Sequence, residues 1–157
     1  MKRLTVLSVF ILILYLFHIT KAEERKVVID LTTGDLKRFE IYLLSGLATN
    51  ISYYKNKLID VDVIVVIHGN AYKFFIKDLS KSPYKEEKQL IKKQYEIYQR
   101  LKSLHDIYNV KFQICEAGLK SRKIDLKNIY DFVKPVYTVF VALVDLQNKG
   151  YAYFPIR

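Results

Sequence analysis

Apolar residues recur along the chain in two rhythms, and the changes of rhythm mark out the elements. Lys26-Val27-Val28-Ile29-Asp30-Leu31 is a β-branched, strand-like run, and Thr32-Thr33-Gly34-Asp35 closes it as a turn. From Leu36 the spacing lengthens. Leu36, Phe39, Leu43, Leu47 and Ile51 recur every three or four residues, which predicts one face of an amphipathic helix. Gly46 inside that helix costs about 1 kcal/mol against alanine, and its presence there implies close packing on the sheet. Residues 61–67 are nearly all apolar, the pattern of a strand covered on both faces, and end at His68-Gly69-Asn70. A short helix is expected over 71–78, then a polar loop around Ser80-Lys81-Ser82-Pro83.

A longer helix is predicted over 85–108, with Ile91, Tyr95, Tyr98, Leu101 and Leu104 on its apolar face. Alternation over 110–115 predicts a third strand. Two helical pieces, 119–122 and 126–133, come next, and Pro135 is expected to end the second. A short fourth strand (136–139), a helix closed by Gly150 and a last strand over 151–154 complete the pattern. Five strands separated by helices predict a three-layer α/β/α sandwich around a mainly parallel five-stranded sheet. Working groups collect at the carboxyl ends of such strands. Those ends are Asp30-Leu31-Thr32-Thr33, His68-Gly69-Asn70 and Cys115-Glu116-Ala117-Gly118.

The opening segment follows a different rule. Met1-Lys2-Arg3 is basic, residues 4–17 form an apolar or neutral run, and Ala22 supplies a small residue two positions after Thr20. That order predicts a secretory signal peptide over 1–22, since the run is short of the roughly 20 residues that span a bilayer. A single domain over 23–157, periplasmic or secreted and without a stable membrane anchor, is the expected mature form.

The 157 residues suit one core, and an apolar share of 51% excludes a disordered chain. The formal charge of +10 invites a nucleic-acid reading, but 20 of the 26 cations are Lys, scattered without a dense run. Phosphate recognition favours arginine forks, so no nucleic-acid partner is expected. One cysteine, Cys115, excludes an intrachain disulfide, a CxxC pair and a cysteine-rich zinc site. No metal site and no organic cofactor are expected, because GxGxxG, P-loop, GxSxG and HExxH patterns are absent.

Cys115 is the leading candidate for chemistry. The thiolate is the reactive form of cysteine, and a helix N-terminus favours it. Lys120 and Arg122 stand one or two turns on and add positive field, whereas the adjacent Glu116 opposes it. The competing reading makes Cys115 a small apolar filler. His68 serves either as a base or charge partner for the thiolate, or as a histidine bonded to a loop backbone. Gly69 and Asn70 suit a turn that aims N–H groups at a ligand; ordinary turn chemistry explains them equally.

From Lys26 onward the chain resembles the DsrE/DsrF-like family, the YchN-like sulfur-relay fold. The resemblance rests on Val65-Val66-Ile67-His68-Gly69, on residues 110–115 with Leu119-Lys120-Ser121-Arg122 and Ile124, and on 141–146 continuing through Gln147-Asn148-Lys149-Gly150-Tyr151-Ala152-Tyr153. It implies a single α/β/α domain that forms homo- or hetero-oligomers, often trimers or hexamers. It also implies that Cys115 accepts sulfur as a persulfide and hands it to a partner thiol, needing neither metal nor cofactor. His68, Gly69, Asn70, Glu116, Lys120 and Arg122 would then surround the reacting sulfur, and the second and third strands would be neighbours. Small sulfur species or donor and acceptor proteins are the expected partners. The alternative is a non-catalytic binding or assembly module in which Cys115 is simply packed.

Overall fold

A computed structural model describes residues 23–157; the expected signal peptide lies outside the described residues. Strand β1 (Glu24–Leu31) leads into a continuous helix, α1, over residues 36–55. β2 (Asp60–Ile67) is followed by two 3₁₀ turns, Ala71–Phe75 and Leu79–Lys81, and by α2 (Lys88–Asp106). β3 (Lys111–Cys115) runs straight into α3 (Glu116–Ser121), and a 3₁₀ turn, Leu126–Asn128, precedes β4 (Val133–Val136). α4 (Val139–Asn148) and β5 (Ala152–Ile156) finish the domain. The sheet order is β4-β3-β2-β1-β5, and every pairing is parallel.

The sheet has two unequal faces. Ile29, Leu31, Val63, Val65, Ile67, Phe112 and Ile114 face the larger core, which α1 covers with Phe39, Leu43, Leu47 and Ile51. The opposite face carries Val28, Ile64 and Val66, and α4 covers it with Ala142 and Leu146. The longest ladder, β1 on β2, keeps eight residues in register, from Glu24 opposite Asp60 to Leu31 opposite Ile67. The alternation of faces along these strands follows from the two-residue side-chain period.

Several local expectations are corrected. Residues 39–46 of α1 are wound as a π-helix, and a Cβ on Gly46 would stand 3.0 Å from the Ile41 carbonyl oxygen. Gly46 therefore accommodates the wider turn of its own helix rather than an approach to the sheet. On α2 the buried stripe is Leu90, Ile97, Leu101 and Leu104; Ile91 and Tyr95 point to solvent. That stripe is the neighbouring helical phase, and burying Leu90 and Ile97 removes more purely aliphatic surface than burying Tyr95 would. The helix expected over 71–78 shortens to one 3₁₀ turn, Ala71–Phe75, and that over 126–133 to another, Leu126–Asn128. Pro135 lies within β4 instead of ending a helix. β4 is an edge strand, where a residue without an N–H is tolerated. Thr138 then caps α4, its hydroxyl accepting from the Val141 N–H at 3.3 Å.

At the amino end of the sheet, Asp62 accepts from Lys111 Nζ at 2.8 Å and from the Tyr151 hydroxyl at 2.5 Å. Burial pushes its carboxyl up. The bonds from Lys111 and Tyr151, with the charges of Lys111 and Lys26, outweigh that and hold it below the ordinary 3.8. A lowered folded-state value contributes stability above the unfolded value that is lost as the pH falls through the folded one. Asp62→Asn should therefore lower stability by about 1 kcal/mol at neutral pH, the difference closing as the pH drops below about 4. Urea unfolding at a series of pH values measures this; an equal loss at acid pH would contradict it.

Candidate functional site

Cys115 is the hinge between a buried strand and a helix. Phe112 and Ile114 bury themselves in the larger core, and Cys115, 5% exposed, ends β3 with extended torsions before α3 begins. The helix that follows has only six residues, so its dipole is slight. What the fold adds is a tyrosine. The Tyr72 hydroxyl, fully buried, donates to the Cys115 carbonyl oxygen at 3.0 Å. Burial first, then its interactions with Cys115, push the Tyr72 phenol well above its ordinary value, against the pull of Arg122. Tyr72 thus stays a neutral donor beside Cys115.

Arg122 caps this arrangement. Its guanidinium carbon lies 5.0 Å from the centre of the Tyr72 ring, a cation–π stack. Its charge also acts on Tyr84, whose phenol is raised by burial and drawn back by Arg122. Gly118 makes the packing feasible, because a Cβ there would sit 1.9 Å from the Tyr72 hydroxyl oxygen. The Ala117 N–H donates to the Tyr137 carbonyl at 3.4 Å and ties α3 to the segment that enters α4.

The other sequence candidates divide. Lys120 bridges to Glu116 at 2.8 Å along the outer face of α3, so these two neutralise one another at the surface. Gly69 adopts φ +62°, and a Cβ there would stand 3.2 Å from the Thr32 carbonyl oxygen, so both torsion and contact favour glycine. The Asn70 N–H donates to that same carbonyl at 3.1 Å, which is turn chemistry. β2 and β3 are neighbours, with Ile67 opposite Ile114, so His68 and Cys115 follow side by side at the carboxyl edge. Yet His68 is bonded elsewhere. Its Nε2 lies 2.5 Å from Asp30 Oδ1, and the Tyr153 hydroxyl donates to Asp30 Oδ2 at 2.6 Å.

Sequence reasoning missed Tyr72, Tyr84 and Tyr153, and placed Asp30 at a strand end without linking it to His68. Asp30 carried a signal, being the one charge inside Val27-Val28-Ile29-Asp30-Leu31. The tyrosines carried none, because core packing accounts for an aromatic equally well. Among the described residues no three His, Cys, Asp or Glu side chains cluster as a metal site. No helix among them is long and apolar enough to cross a membrane.

A parallel α/β/α domain with a lone cysteine at the carboxyl edge of its sheet defines the class. Within that class the chain belongs to the DsrE/DsrF-like family, whose profile matches residues 26–156. It is 28% identical over 156 residues to an uncharacterized protein of Aquifex aeolicus, covering 99% of this chain and 66% of that protein. The chain thus spans about two thirds of the length of that relative. The fold is also that of MTH1491, a protein of unknown function from Methanobacterium thermoautotrophicum. The two share a TM-score of 0.58 and 19% identity over 85% of this chain and 98% of that one.

Gly118→Ala should force Tyr72 out of place and destabilise the domain by about 1–3 kcal/mol, the range for overpacking. Tyr72→Phe removes only the hydroxyl and should be milder, about 1 kcal/mol. Thermal unfolding of both variants checks this order; an unchanged Gly118→Ala midpoint would refute the close approach.

Proposed function

We propose that the protein is an exported sulfur carrier in which Cys115 accepts sulfane sulfur as a persulfide and passes it to a partner thiol. The observation that carries this reading is the placement of Cys115 at the carboxyl end of β3 against Tyr72, with Arg122 stacked on that ring. Membership of the DsrE/DsrF-like family supports the sulfur-relay theme. In the loading step the Cys115 thiolate attacks a sulfane sulfur of a donor such as polysulfide or thiosulfate. The donor's remaining sulfur leaves with the bonding electron pair, and Cys115 carries the transferred atom. Arg122 offsets the negative charge of the donor, while Tyr72 fixes the backbone at Cys115. Export rests on the apolar leader over residues 1–22.

Intact-mass spectrometry of the reduced mature protein after polysulfide treatment tests the carrier role. The expected result is a gain of one or more sulfur atoms, reversed by reductant and absent in Cys115→Ser. An unchanged mass would leave the second reading, a binding or assembly module with a packed cysteine. The near-complete burial of Cys115 favours that reading.

Self-association belongs to the same proposal. Tyr137, Phe140, Val141 and Val144 form an exposed apolar strip along the outer side of α4, with Phe140 74% exposed. The strip adjoins α3 through the Tyr137–Ala117 bond. A second copy of the chain seated there would shelter the Cys115 edge. Sedimentation analysis should show an oligomer, a trimer or hexamer by family resemblance, and Phe140→Glu should yield monomer with an unchanged circular-dichroism spectrum. A monomeric parent protein would refute the interface.

A further inference from the structure

The loading chemistry leaves one built feature without a task. Asp30 is 5% exposed, and its carboxylate holds two donors, His68 at 2.5 Å and Tyr153 at 2.6 Å. Arg157 Nη2 donates to the Tyr153 oxygen at 3.3 Å, so the phenolic proton is directed at Asp30 Oδ2. With Oδ2 so engaged, Asp30 Oδ1 accepts the His68 Nε2–H. When the ring is neutral, that bond leaves its lone pair on Nδ1. The His68 backbone is pinned as well, its N–H donating to the Leu31 carbonyl at 3.0 Å. The ring stays 25% exposed. A buried carboxylate in an apolar strand is unfavourable unless fully bonded. Here every oxygen serves to orient one imidazole.

The position of this pair gives it a role. β1 lies where the strand order changes direction, between β2 and β5, and ligands of open parallel sheets enter the crevice at such a point. His68 follows Ile67, which pairs with Ile114 next to Cys115, yet its ring is committed to Asp30 rather than to the thiol. A ring so committed is free to serve a molecule other than the Cys115 thiol.

We propose that His68 is the proton acceptor for an incoming thiol, with Asp30 as its positioning residue, in the unloading half of the transfer. This rests on the sulfur-carrier reading. The acceptor thiol gives its proton to His68 Nδ1, and the resulting thiolate attacks the outer sulfur of the protonated Cys115 persulfide. The sulfur–sulfur bond of the persulfide breaks with its electron pair going to Cys115 Sγ. The acceptor departs as a persulfide, Cys115 remains as thiolate, and the His68 proton returns to it or to water. No external oxidant or reductant is consumed. The acceptor class follows from the base: a protonated thiol needs it, whereas an acceptor already anionic, such as sulfite, does not.

The experiment separates two acceptors. The protein is loaded with polysulfide, confirmed by mass, and single-turnover transfer is followed to glutathione and to sulfite near pH 7, where the glutathione thiol is largely protonated. His68→Gln should slow transfer to glutathione by about a hundredfold and Asp30→Asn by about tenfold, with transfer to sulfite changed by no more than about twofold. Equal slowing towards both acceptors, or none, would overturn the proposal. Nitrogen-edited NMR of the neutral His68 ring gives a second readout that needs no sulfur and no variant. The Nε2–H tautomer is expected, and the Nδ1–H tautomer would overturn the assignment. If the parent chain does not load at all, the mass measurement shows it before any acceptor is added, and the carrier reading and this proposal fall together.

Discussion

The parallel ladder between β1 and β2 is the constraint from which the rest follows. A parallel pair cannot be closed by a two-residue turn, so each strand must be followed by a crossover that returns the chain to the amino edge. Every crossover therefore departs from the same edge of the sheet. The apolar runs Val27 to Ile29 and Val63 to Ile67 fill the interior of the ladder and drive its formation by burial. The residues that leave the strands, Thr32 and Thr33, His68 to Asn70, and Cys115 to Gly118, are gathered at one edge regardless of their distance in sequence. The sheet concentrates chemistry there because its own hydrogen bonding leaves the chain no other exit.

At that edge the chain spends buried polar groups on orientation. Asp30 holds His68 and Tyr153, and Tyr72 holds the Cys115 carbonyl. No described buried side-chain nitrogen or oxygen lacks a hydrogen-bond partner. Fully satisfied networks of this kind stiffen what they join, because each buried donor or acceptor left alone would cost about 1–3 kcal/mol. Gly118 shows how tight the tolerance is, since a single methyl group would occupy the place of the Tyr72 hydroxyl.

The order of strands and helices was legible because period and punctuation agree wherever an element is buried on one side. The Leu36-to-Ile51 stripe is such a case, the unbroken apolar run of β2 marks a strand buried on both faces, and the place of Cys115 at the end of β3 followed directly. Legibility failed where two solutions share one local pattern. On α2, Leu90 with Ile97 and Ile91 with Tyr95 mark adjacent helical phases, and only the shape of the core selects the first. Around Pro135 the sequence admits a helix stop or an edge strand, and the open edge beside β3 decides it. The site divides the same way. Cys115 and Arg122 stood out by residue type and position, and the structure keeps Arg122 near Cys115 through the Tyr72 ring. The claim of Glu116 and Lys120 weakened because i,i+4 spacing pairs them with each other. Tyr72 and Asp30 act through contacts 43 and 38 residues away in the chain, which no local pattern encodes.

The two polar arrangements divide the carboxyl edge between them. Tyr72 and Arg122 attend Cys115 from the larger core, with the guanidinium as their fixed charge. Asp30 and His68 lie over β1 and β2, on elements that continue the opposite face. A group that stabilises an anion on sulfur and a group that removes a proton from an incoming thiol work against each other if they share one position. A neighbouring guanidinium disfavours a second positive charge on an imidazole, and an imidazole bonded to the thiol cannot serve another proton donor. Placing the cation at the far end of α3 and the carboxylate-anchored histidine at the end of β2 lets each keep its own electrostatic setting. The parallel sheet sets the neighbouring ends of β2 and β3 about 5 Å apart.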